Sequence, residues 1–216
     1  MADDFKTVFP RKYYKKFFDE NVRPDNRSLD ECRPLHLEVG GLGTADGSSL
    51  VTIGNTKIIC GVVSMQWTIT CELVCLDYDG CLYDACCLAL MAALANTNLK
   101  MYAKIEDGSE DLEEQISYQP TKESKKLSLT NKFFATTFAL WNSKLILFDP
   151  TKEEEDLSRG TITIVCSANS DEYFIQKPGG CELTDEQLNF CLKHSKKRTE
   201  LLLDMFNEKL HSTDEQ

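Results

Sequence analysis

One segment, residues 82–94, is apolar on nearly every face of a helix, and it restricts the folds open to this chain. Its residues are small or aliphatic apart from Tyr83 and one charged residue, Asp84. A helix of this composition is stable only where other elements cover most of its surface. The chain has 216 residues, enough to supply that cover and a sizeable core.

Short runs of β-branched and aliphatic residues on both sides of this helix predict strands. The turn Gly40-Gly41-Leu42-Gly43 separates the first two runs, and Gly54, where we expect a positive φ, separates the next two. Strands are predicted at 35–39, 49–53, 57–63, 68–76, 102–105, 136–141, 144–148, 161–166 and 173–176. Asn142-Ser143 is predicted to be a hairpin turn, and the polar segment 106–126 an exposed loop.

Helices are predicted near both ends of the chain. The first covers about 11–20, where four aromatic residues repeat at helical spacing: Tyr13, Tyr14, Phe17 and Phe18. This stripe must pack on its own domain or on a partner, and the spacing does not decide which. The second covers about 184–210 and opens with a capping box formed by Thr184 and Gln187. The order of elements predicts an α+β fold in a single domain, 1–216.

The charge balance excludes some classes of function. The chain has 24 Lys+Arg against 35 Asp+Glu, a formal net charge of −11. Proteins that bind nucleic acid unaided normally carry a basic face, so tight unaided binding is not expected. No run approaches the roughly 18 apolar residues of a membrane span, and the acidic N-terminus is unlike a signal peptide. We expect a soluble, intracellular protein with no membrane partner.

Cysteine and histidine give little indication of a metal site. The ten cysteines lack zinc-site spacing, and we expect buried, reduced thiols with no metal and no cofactor. His36 is expected to be a structural or surface residue and no catalytic base. His194 belongs to a basic cluster on the last helix, for which a solvated face is favoured over contact with RNA or an acidic neighbour. The other members are Lys193, Lys196, Lys197 and Arg198.

Several motifs follow one another in the order found in a known family. They are Arg23-Pro24-Asp25-Asn26-Arg27 with Glu31 and Arg33, the block 45–62, Leu76-Asp77-Tyr78-Asp79-Gly80, Phe148-Asp149-Pro150-Thr151, the strand 160–165 and Lys177-Pro178-Gly179-Gly180. As a set they resemble the RNase PH family, and in particular the RNase PH-like subunits of the eukaryotic RNA exosome ring. The resemblance covers almost the whole chain and implies the RNase PH-like fold, also called ribosomal protein S5 domain 2-like.

The resemblance also indicates where catalysis would occur. Active members of the family release 3′ nucleotides by phosphorolysis, with a Gly-Gly-Thr-Arg turn that holds phosphate at a helix N-terminus. The matching residues here are Gly80, Cys81, Leu82 and Tyr83, so the hydroxyl and the guanidinium are both missing. An acidic residue of the family matches Thr161, which cannot act as an acid or metal ligand at neutral pH. The resemblance therefore implies a degenerate pseudo-enzyme without catalytic residues.

Two further features concern this region: an acidic run near Asp149 and a stretch of the family that this chain lacks. The run Glu153, Glu154, Glu155 and Asp156 is expected to form a solvated acidic loop close to Asp149. The family also carries a long stretch after residue 63, with further strands, a helix and RNA-facing arginines, where this chain has only Ser64, Met65 and Gln66.

An internal deletion, from a skipped exon or a gene-model error, is the simplest account of that junction. It should leave apolar surface without its cover. We expect the exposed surface at Cys60, Val62, Trp67, Ile69 and the helix around Met91.

The resemblance implies a non-catalytic structural subunit of the exosome core ring. Such a subunit supports 3′–5′ RNA processing and degradation, including rRNA maturation and mRNA decay, in the nucleus, nucleolus and cytoplasm. The implied partners are other RNase PH-like ring subunits, cap subunits of the S1/KH type, and RNA through the assembled complex. Two alternatives stay open: a shortened isoform that fails to assemble, and a residual phosphorolytic 3′–5′ exoribonuclease.

Overall fold

The computed structural model describes residues 2–65, 68–105, 117–142, 144–169 and 172–214. The helices are α1 (Ala2–Val8), α2 (Pro10–Asp19), α3 (Leu82–Ala95), α4 (Lys152–Leu157) and α5 (Asp185–Asp214). The strands are β1 (Leu35–Val39), β2 (Gly47–Ile53), β3 (Thr56–Met65), β4 (Thr68–Asp77), β5 (Asn98–Ile105), β6 (Ser117–Lys126), β7 (Phe133–Leu140), β8 (Ile146–Phe148), β9 (Thr161–Ser167) and β10 (Tyr173–Gln176).

The strands form three antiparallel sheets. The first has the order β1-β2-β3-β4, the second the order β10-β9-β7-β8, and β5 and β6 form a separate two-stranded sheet. The β2–β3 hairpin turns at Gly54, whose φ is +56°, which confirms the expected positive value. A Cβ atom at Gly54 would lie 2.5 Å from Cδ of Arg33, so the turn also requires the small residue for space.

Helix α3 lies against both four-stranded sheets and is buried as predicted. It contacts β2 and β3 of the first sheet and β7 of the second. Its small residues allow close approach: Oγ of Ser49 on β2 donates to the carbonyl of Ala89 at 2.7 Å, and Gly47 leaves no room for a Cβ beside Ala93. The helix thus joins the two halves of the molecule and fixes the position of its own N-terminus.

The aromatic stripe of α2 packs on its own chain. Tyr14 and Phe18 are buried against the second sheet, and the ring of Phe18 meets Trp141 edge-on at 4.8 Å between centroids. Tyr13 and Phe17 are half-buried beside them. Of the two alternatives that the spacing left open, the structure therefore selects packing within the chain.

Three elements were not predicted from the sequence. The segment 117–126, expected to belong to an exposed loop, forms β6, whereas residues 106–116 of that prediction lie outside the described residues. The short helix α1 precedes α2. Asn142 accepts the backbone N–H groups of Lys144 and Leu145 at 2.8 Å, as expected in a turn, while Ser143 lies outside the described residues.

The third element, α4, replaces the predicted solvated acidic loop, and that prediction is wrong for Glu154. Thr151 and Glu154 form a capping box at the start of α4, and the Glu154 side chain is buried. The acidic run was interpreted by its charge alone. The structure shows that three of its residues make specific contacts. Glu153 accepts a hydrogen bond from Nζ of Lys6 at 2.9 Å, and Glu154 and Glu155 bind Arg23 and the N–H of Cys81.

The surface expected to lose its cover is only partly where it was predicted. Cys60 and Val62 are fully buried against α3, so that expectation is wrong for both, because their side chains point to the helix side of β3. Ile69 is exposed as expected, Met91 is half-buried, and Trp67 lies outside the described residues. The uncovered surface is instead concentrated on β4.

None of the helices in the described ranges is long and apolar enough to cross a membrane.

Candidate functional site

The N-terminus of α3 is the position at which the resemblance places a phosphate site. Gly80 has φ +82° and Cys81 has φ +52°, so two consecutive residues adopt the left-handed conformation before the helix begins. A Cβ atom at Gly80 would lie 2.4 Å from the carbonyl oxygen of Pro150, so the turn sits directly on the backbone before α4. Thr56 holds the turn from the other side by donating to the Gly80 carbonyl at 2.7 Å.

A backbone N–H at this helix N-terminus already donates a hydrogen bond to a carboxylate of the chain. The N–H of Cys81 donates to Oε1 of Glu155 on α4 at 2.8 Å, and the hydroxyl of Tyr78 donates to the other carboxylate oxygen at 2.8 Å. Desolvation and this hydrogen bond raise the pKa of Tyr78. The helix dipole favours an anion here, and Glu155 supplies one from within the chain.

The side chains at the two matching helix positions offer no cation. Leu82 is 38% exposed and Tyr83 54% exposed, and the Tyr83 hydroxyl accepts a hydrogen bond from Nε2 of Gln176 at 3.2 Å. Gln176 pairs with Thr163 in the sheet, two residues after Thr161 on the same strand. The structure thus brings Tyr83 towards the strand that carries Thr161. That these are degenerate catalytic positions stays a prediction from the resemblance.

Asp84, in the first turn of α3, is buried and bonded to the second sheet. Its carboxylate accepts the backbone N–H of Thr137 at 3.0 Å and the Thr137 hydroxyl at 2.6 Å, and that hydroxyl lies 2.9 Å from the hydroxyl of Thr163. Burial raises the pKa of Asp84, opposed by the nearby Arg198 guanidinium and the Thr137 hydrogen bonds. Asp84 therefore anchors the helix to the sheet, and it places a second acidic group beside the Cys81 turn.

Next to the turn lies a buried ionic cluster that we call the Asp149 cluster: Arg23, Arg27, Arg33, Asp149 and Glu154. The Asp149 carboxylate accepts Nη2 of Arg33 at 2.7 Å and the backbone N–H of Arg33 at 2.6 Å. Arg27 reaches the same carboxylate at 3.4 Å, and Arg23 reaches Glu154 at 3.3 Å. All five side chains are at most 8% exposed, so each charge depends on its partners.

The cluster joins the N-terminal segment to the α4 region. Arg23 donates to the carbonyls of Leu29 and Phe148, and Arg33 donates to the carbonyl of Asp79. The Arg33 guanidinium beside Asp149 holds the pKa of that carboxyl far below its usual range against the opposing effect of burial. Sequence reasoning identified these arginines as family motifs but missed their partners, which lie more than 100 residues away.

Two arginines near the α3 N-terminus are therefore engaged. Arg33 is bound by Asp149 and lies 3.6 Å from Asp79. Arg198, which we expected on a solvated basic face, instead donates to Sγ of Cys32 and lies among Asp84 and Asp149, which raise the pKa of its guanidinium. That prediction is wrong for Arg198, because this position of α5 faces the interior.

The other residues singled out from the sequence are lysines of α5 and two histidines. Lys193, Lys196 and Lys197 are exposed, as expected. His194 stacks near Phe148 and Phe190, and burial with its lysine neighbours lowers its pKa. His36 is exposed, and its Nε2 atom lies 3.0 Å from Oε1 of Glu38. Among the described residues no group of His, Cys, Asp and Glu is arranged to hold a metal ion.

The sequence matches two models of one family, the 3′ exoribonuclease family. Domain 1 of that family, RNase PH, matches residues 31–66 and 63–100, and domain 2 matches residues 133–198, together more than half of the chain. The chain belongs to the RNase PH family. The match to domain 1 is divided at residues 63–66, where the sequence analysis placed the missing segment.

RNase PH proteins named as exosome components are similar to this chain over most of its length. The exosome complex component rrp43 of Schizosaccharomyces pombe is 24% identical over 255 residues, which cover 88% of this chain and 92% of the relative. Rrp42 of Methanothermobacter thermautotrophicus is 26% identical over 82% of this chain and 87% of its own length. The alignment to rrp43 is longer than this chain of 216 residues, so the relative has residues that this chain lacks.

Solved structures show the same fold. A chain of an archaeal exosome core superposes with a TM-score of 0.74 at 22% identity, covering 96% of this chain and all of the other. A chain of the Archaeoglobus fulgidus exosome with RNA bound to the active site gives a TM-score of 0.71 at 22% identity, covering 91% and 97%. The RNase PH-like α+β fold expected from the motifs is confirmed.

Proposed function

We propose that this RNase PH protein is a non-catalytic structural subunit of an RNA exosome ring. The proposal is supported by relatives named exosome complex components, which align with it over most of both chains. It is supported also by the likeness of its fold to chains of archaeal exosome cores. In such a ring the chain would contribute structure while other subunits or associated nucleases cleave RNA.

The hydrogen bond from Cys81 to Glu155 carries the non-catalytic part of the proposal. Phosphorolysis requires inorganic phosphate next to the scissile bond, held by backbone N–H groups and a cation. Here a carboxylate takes the Cys81 N–H, and Leu82 and Tyr83 supply no positive charge. An incoming phosphate would meet Glu155 and the buried Asp84 at like charge, while the nearby Arg33 and Arg198 guanidinium groups are already engaged by Asp149 and Cys32.

The expected partners and setting follow from the same proposal. The chain would pair with other RNase PH-like ring subunits and support cap subunits of the S1/KH type, with RNA passing through the assembled complex. It would act in rRNA maturation and mRNA decay, in the nucleus, nucleolus and cytoplasm. Its net charge of −11 is compatible with this arrangement, because a ring needs basic residues only along its channel.

The catalytic question is tested by phosphate-dependent release of nucleoside diphosphates. The purified chain is incubated with a 3′-labelled oligoadenylate and inorganic phosphate, beside an active RNase PH-family enzyme as positive control. We expect no ADP above a no-phosphate blank. Phosphate-dependent ADP release would overturn the proposal and support the alternative of a residual phosphorolytic exoribonuclease.

A second candidate is a shortened isoform that fails to enter the ring. The divided match to domain 1 and the exposed surface of β4 favour it. Co-expression with the other ring subunits, followed by native mass spectrometry, distinguishes the two candidates. One copy per ring supports the structural subunit. Exclusion of this chain, while a version carrying the relatives' additional segment enters, supports the shortened isoform.

A further inference from the structure

Helix α2 is divided along its length into an aromatic half and a cationic half. Tyr14 and Phe18 hold the aromatic half against the second sheet. The other half carries four cations at positions i, i+1, i+4 and i+5, which lie side by side on one face of a helix. All four are exposed, and we call them the α2 patch: Arg11, Lys12, Lys15 and Lys16.

The positive charge of the α2 patch is not neutralised by carboxylates of the described chain. Residues 5–18 contain five Lys or Arg and no Asp or Glu, although the formal net charge of the whole chain is −11. The fifth cation, Lys6, is bound by Glu153 at 2.6 Å. Among the described residues, no carboxylate forms an ion pair with the other four. A concentration of uncompensated positive charge on an acidic protein indicates an anionic partner.

Aromatic rings hold three of these cations in place. The pairs are Arg11 over Trp141 at 5.6 Å, Lys12 over Phe9 at 4.9 Å and Lys16 over Phe5 at 4.5 Å, measured to the ring centroid. A ring attracts a cation but leaves its charge in place. Arg11 and Lys12 also lie in the first turn of α2, which has no acidic residue, where the helix dipole disfavours positive charge. An anion bound at this face would offset that cost.

The α2 patch borders an apolar groove where α1 meets α2. The apolar side chains of the groove are Val8, Phe9 and Pro10, and its cationic side chains are Arg11, Lys12 and Lys15. Val8 is 64% exposed and Phe9 47% exposed. None of these lining residues is acidic. The groove therefore combines an exposed apolar surface with three cations along its edge.

The chemistry of this groove fits a protein segment better than RNA. Proteins that bind single-stranded RNA stack its bases on free aromatic faces. The Phe9 ring has Nζ of Lys12 over one face and packs against Phe5, with 5.9 Å between ring centroids. The side chains of Val8, Phe9 and Pro10 have no hydrogen-bonding group that could read a base edge. An apolar side chain suits this surface, and carboxylates suit the neighbouring cations.

We propose that the α2 patch and its groove bind an acidic segment of a partner protein. An apolar side chain of that segment packs on Val8 and Phe9, and its carboxylates pair with the cations of the α2 patch. Charge complementarity of this kind selects the partner and speeds its association. The aromatic half of α2 stays on the second sheet throughout. This inference concerns the chain by itself and does not rest on membership of an exosome ring.

Fluorescence anisotropy of a labelled oligoglutamate peptide with two central leucines tests the proposal on the purified chain. We expect binding that weakens as the salt concentration rises. Lys12→Gln combined with Lys15→Gln should weaken binding by roughly tenfold. The matched control is Lys193→Gln combined with Lys197→Gln, which makes the same change in net charge at exposed positions of α5 and should leave binding unchanged. Circular dichroism verifies that both double variants keep the fold.

Two further comparisons separate apolar recognition from charge alone. Val8→Ser should weaken binding of the peptide with leucines severalfold and leave binding of its counterpart with alanines unchanged. A counterpart with glutamine in place of glutamate should not bind. Absence of peptide binding, an equal loss in the α5 control, or no effect of Val8→Ser would each overturn the proposal. Tighter binding of a labelled oligouridylate than of the peptide would also overturn it and would assign the α2 patch to RNA.

Discussion

At the scale of single residues, the Asp149 cluster holds the most concentrated charge in the described parts of the molecule. Asp149 is fully buried and adopts φ +44°, a left-handed value that Asp and Asn tolerate better than most residues. Its carboxylate is bound by Arg33 and reached by Arg27. Removing one member of such a cluster leaves buried charges without compensation, which costs more than the intact pairs contribute.

We expect Asp149→Asn to lower the free energy of unfolding by ~3–5 kcal/mol. The amide retains the shape and tolerates the backbone conformation, so the loss reports the missing charge beside Arg33. Urea unfolding followed by circular dichroism measures it. Glu38→Gln removes an exposed carboxylate whose one ion pair among the described residues is with His36, and it should change stability by less than ~0.5 kcal/mol. Equal effects of the two substitutions would contradict the role given to the cluster.

The Asp149 carboxyl also makes the free energy of unfolding depend on pH. The pKa of this carboxyl is depressed in the folded chain. Its contribution to the free energy of unfolding is therefore present above pH ~3.9, the pKa of Asp in an unfolded chain, and is lost as the pH falls from there towards the folded-state pKa. Asp84 and Glu154 have raised pKa values and act in the opposite direction. Urea midpoints between pH 6 and pH 3 should therefore fall more steeply for the wild type than for Asp149→Asn. Parallel curves would show that Asp149 is not responsible.

At the scale of elements, long-range contacts decide which helices are held firmly. Helix α2 is attached through Tyr14 and Phe18 to Trp141, while α4 is fixed by its capping box and by Arg23 on Glu154. The capping box is local, but the contacts with Trp141 and with Arg23 join residues more than 100 apart in the chain, so neither helix depends on its own propensity alone. Helix α4, at six residues, would not be stable in isolation.

Phe17 and Phe18 offer a matched pair on α2. Phe18 is 5% exposed against Trp141, whereas Phe17 is only half-buried. We expect Phe18→Ala to destabilise the chain by ~3–5 kcal/mol and Phe17→Ala by ~1 kcal/mol. In limited trypsin digestion, Phe18→Ala should speed cleavage at Lys15 and Lys16. Similar cleavage rates for the two variants would mean that α2 is not held by its buried face.

At the scale of the whole molecule, burial separates the ten thiols into distinct classes. Cys75 is exposed, whereas Cys60, Cys81, Cys166 and Cys191 are buried. Burial raises the pKa of all four buried thiols, to about 11 for Cys60 and about 12 for Cys191. A group that is both inaccessible and protonated reacts slowly.

Labelling with a maleimide at neutral pH, read out by peptide mass spectrometry, should therefore modify Cys75 first. The four buried thiols should react only in denaturant. Early labelling of Cys81 under native conditions would contradict its burial beneath Pro150.

The sequence by itself determined features that depend on neighbours along the chain. The capping box of Thr184 and Gln187 is present as predicted, Gly54 turns its hairpin with a positive φ, and the apolar segment 82–94 forms a helix buried between sheets. These follow from backbone sterics and periodicity within a few residues. The order of motifs was sufficient for the family and its fold.

Only the tertiary structure decided which distant groups meet. The acidic run 153–156 looked solvated, yet Glu154 binds Arg23 and Glu155 takes the Cys81 N–H, 74 residues away. Arg198 was predicted to lie on an exposed basic face but donates to Sγ of Cys32, close enough to Asp84 and Asp149 for both carboxylates to raise its pKa. A charge in a sequence does not reveal its partner, because opposite charges pair through the fold and their energy depends on burial. The position of β4 at the edge of its sheet likewise follows from strand pairing in the fold, which the sequence alone does not give.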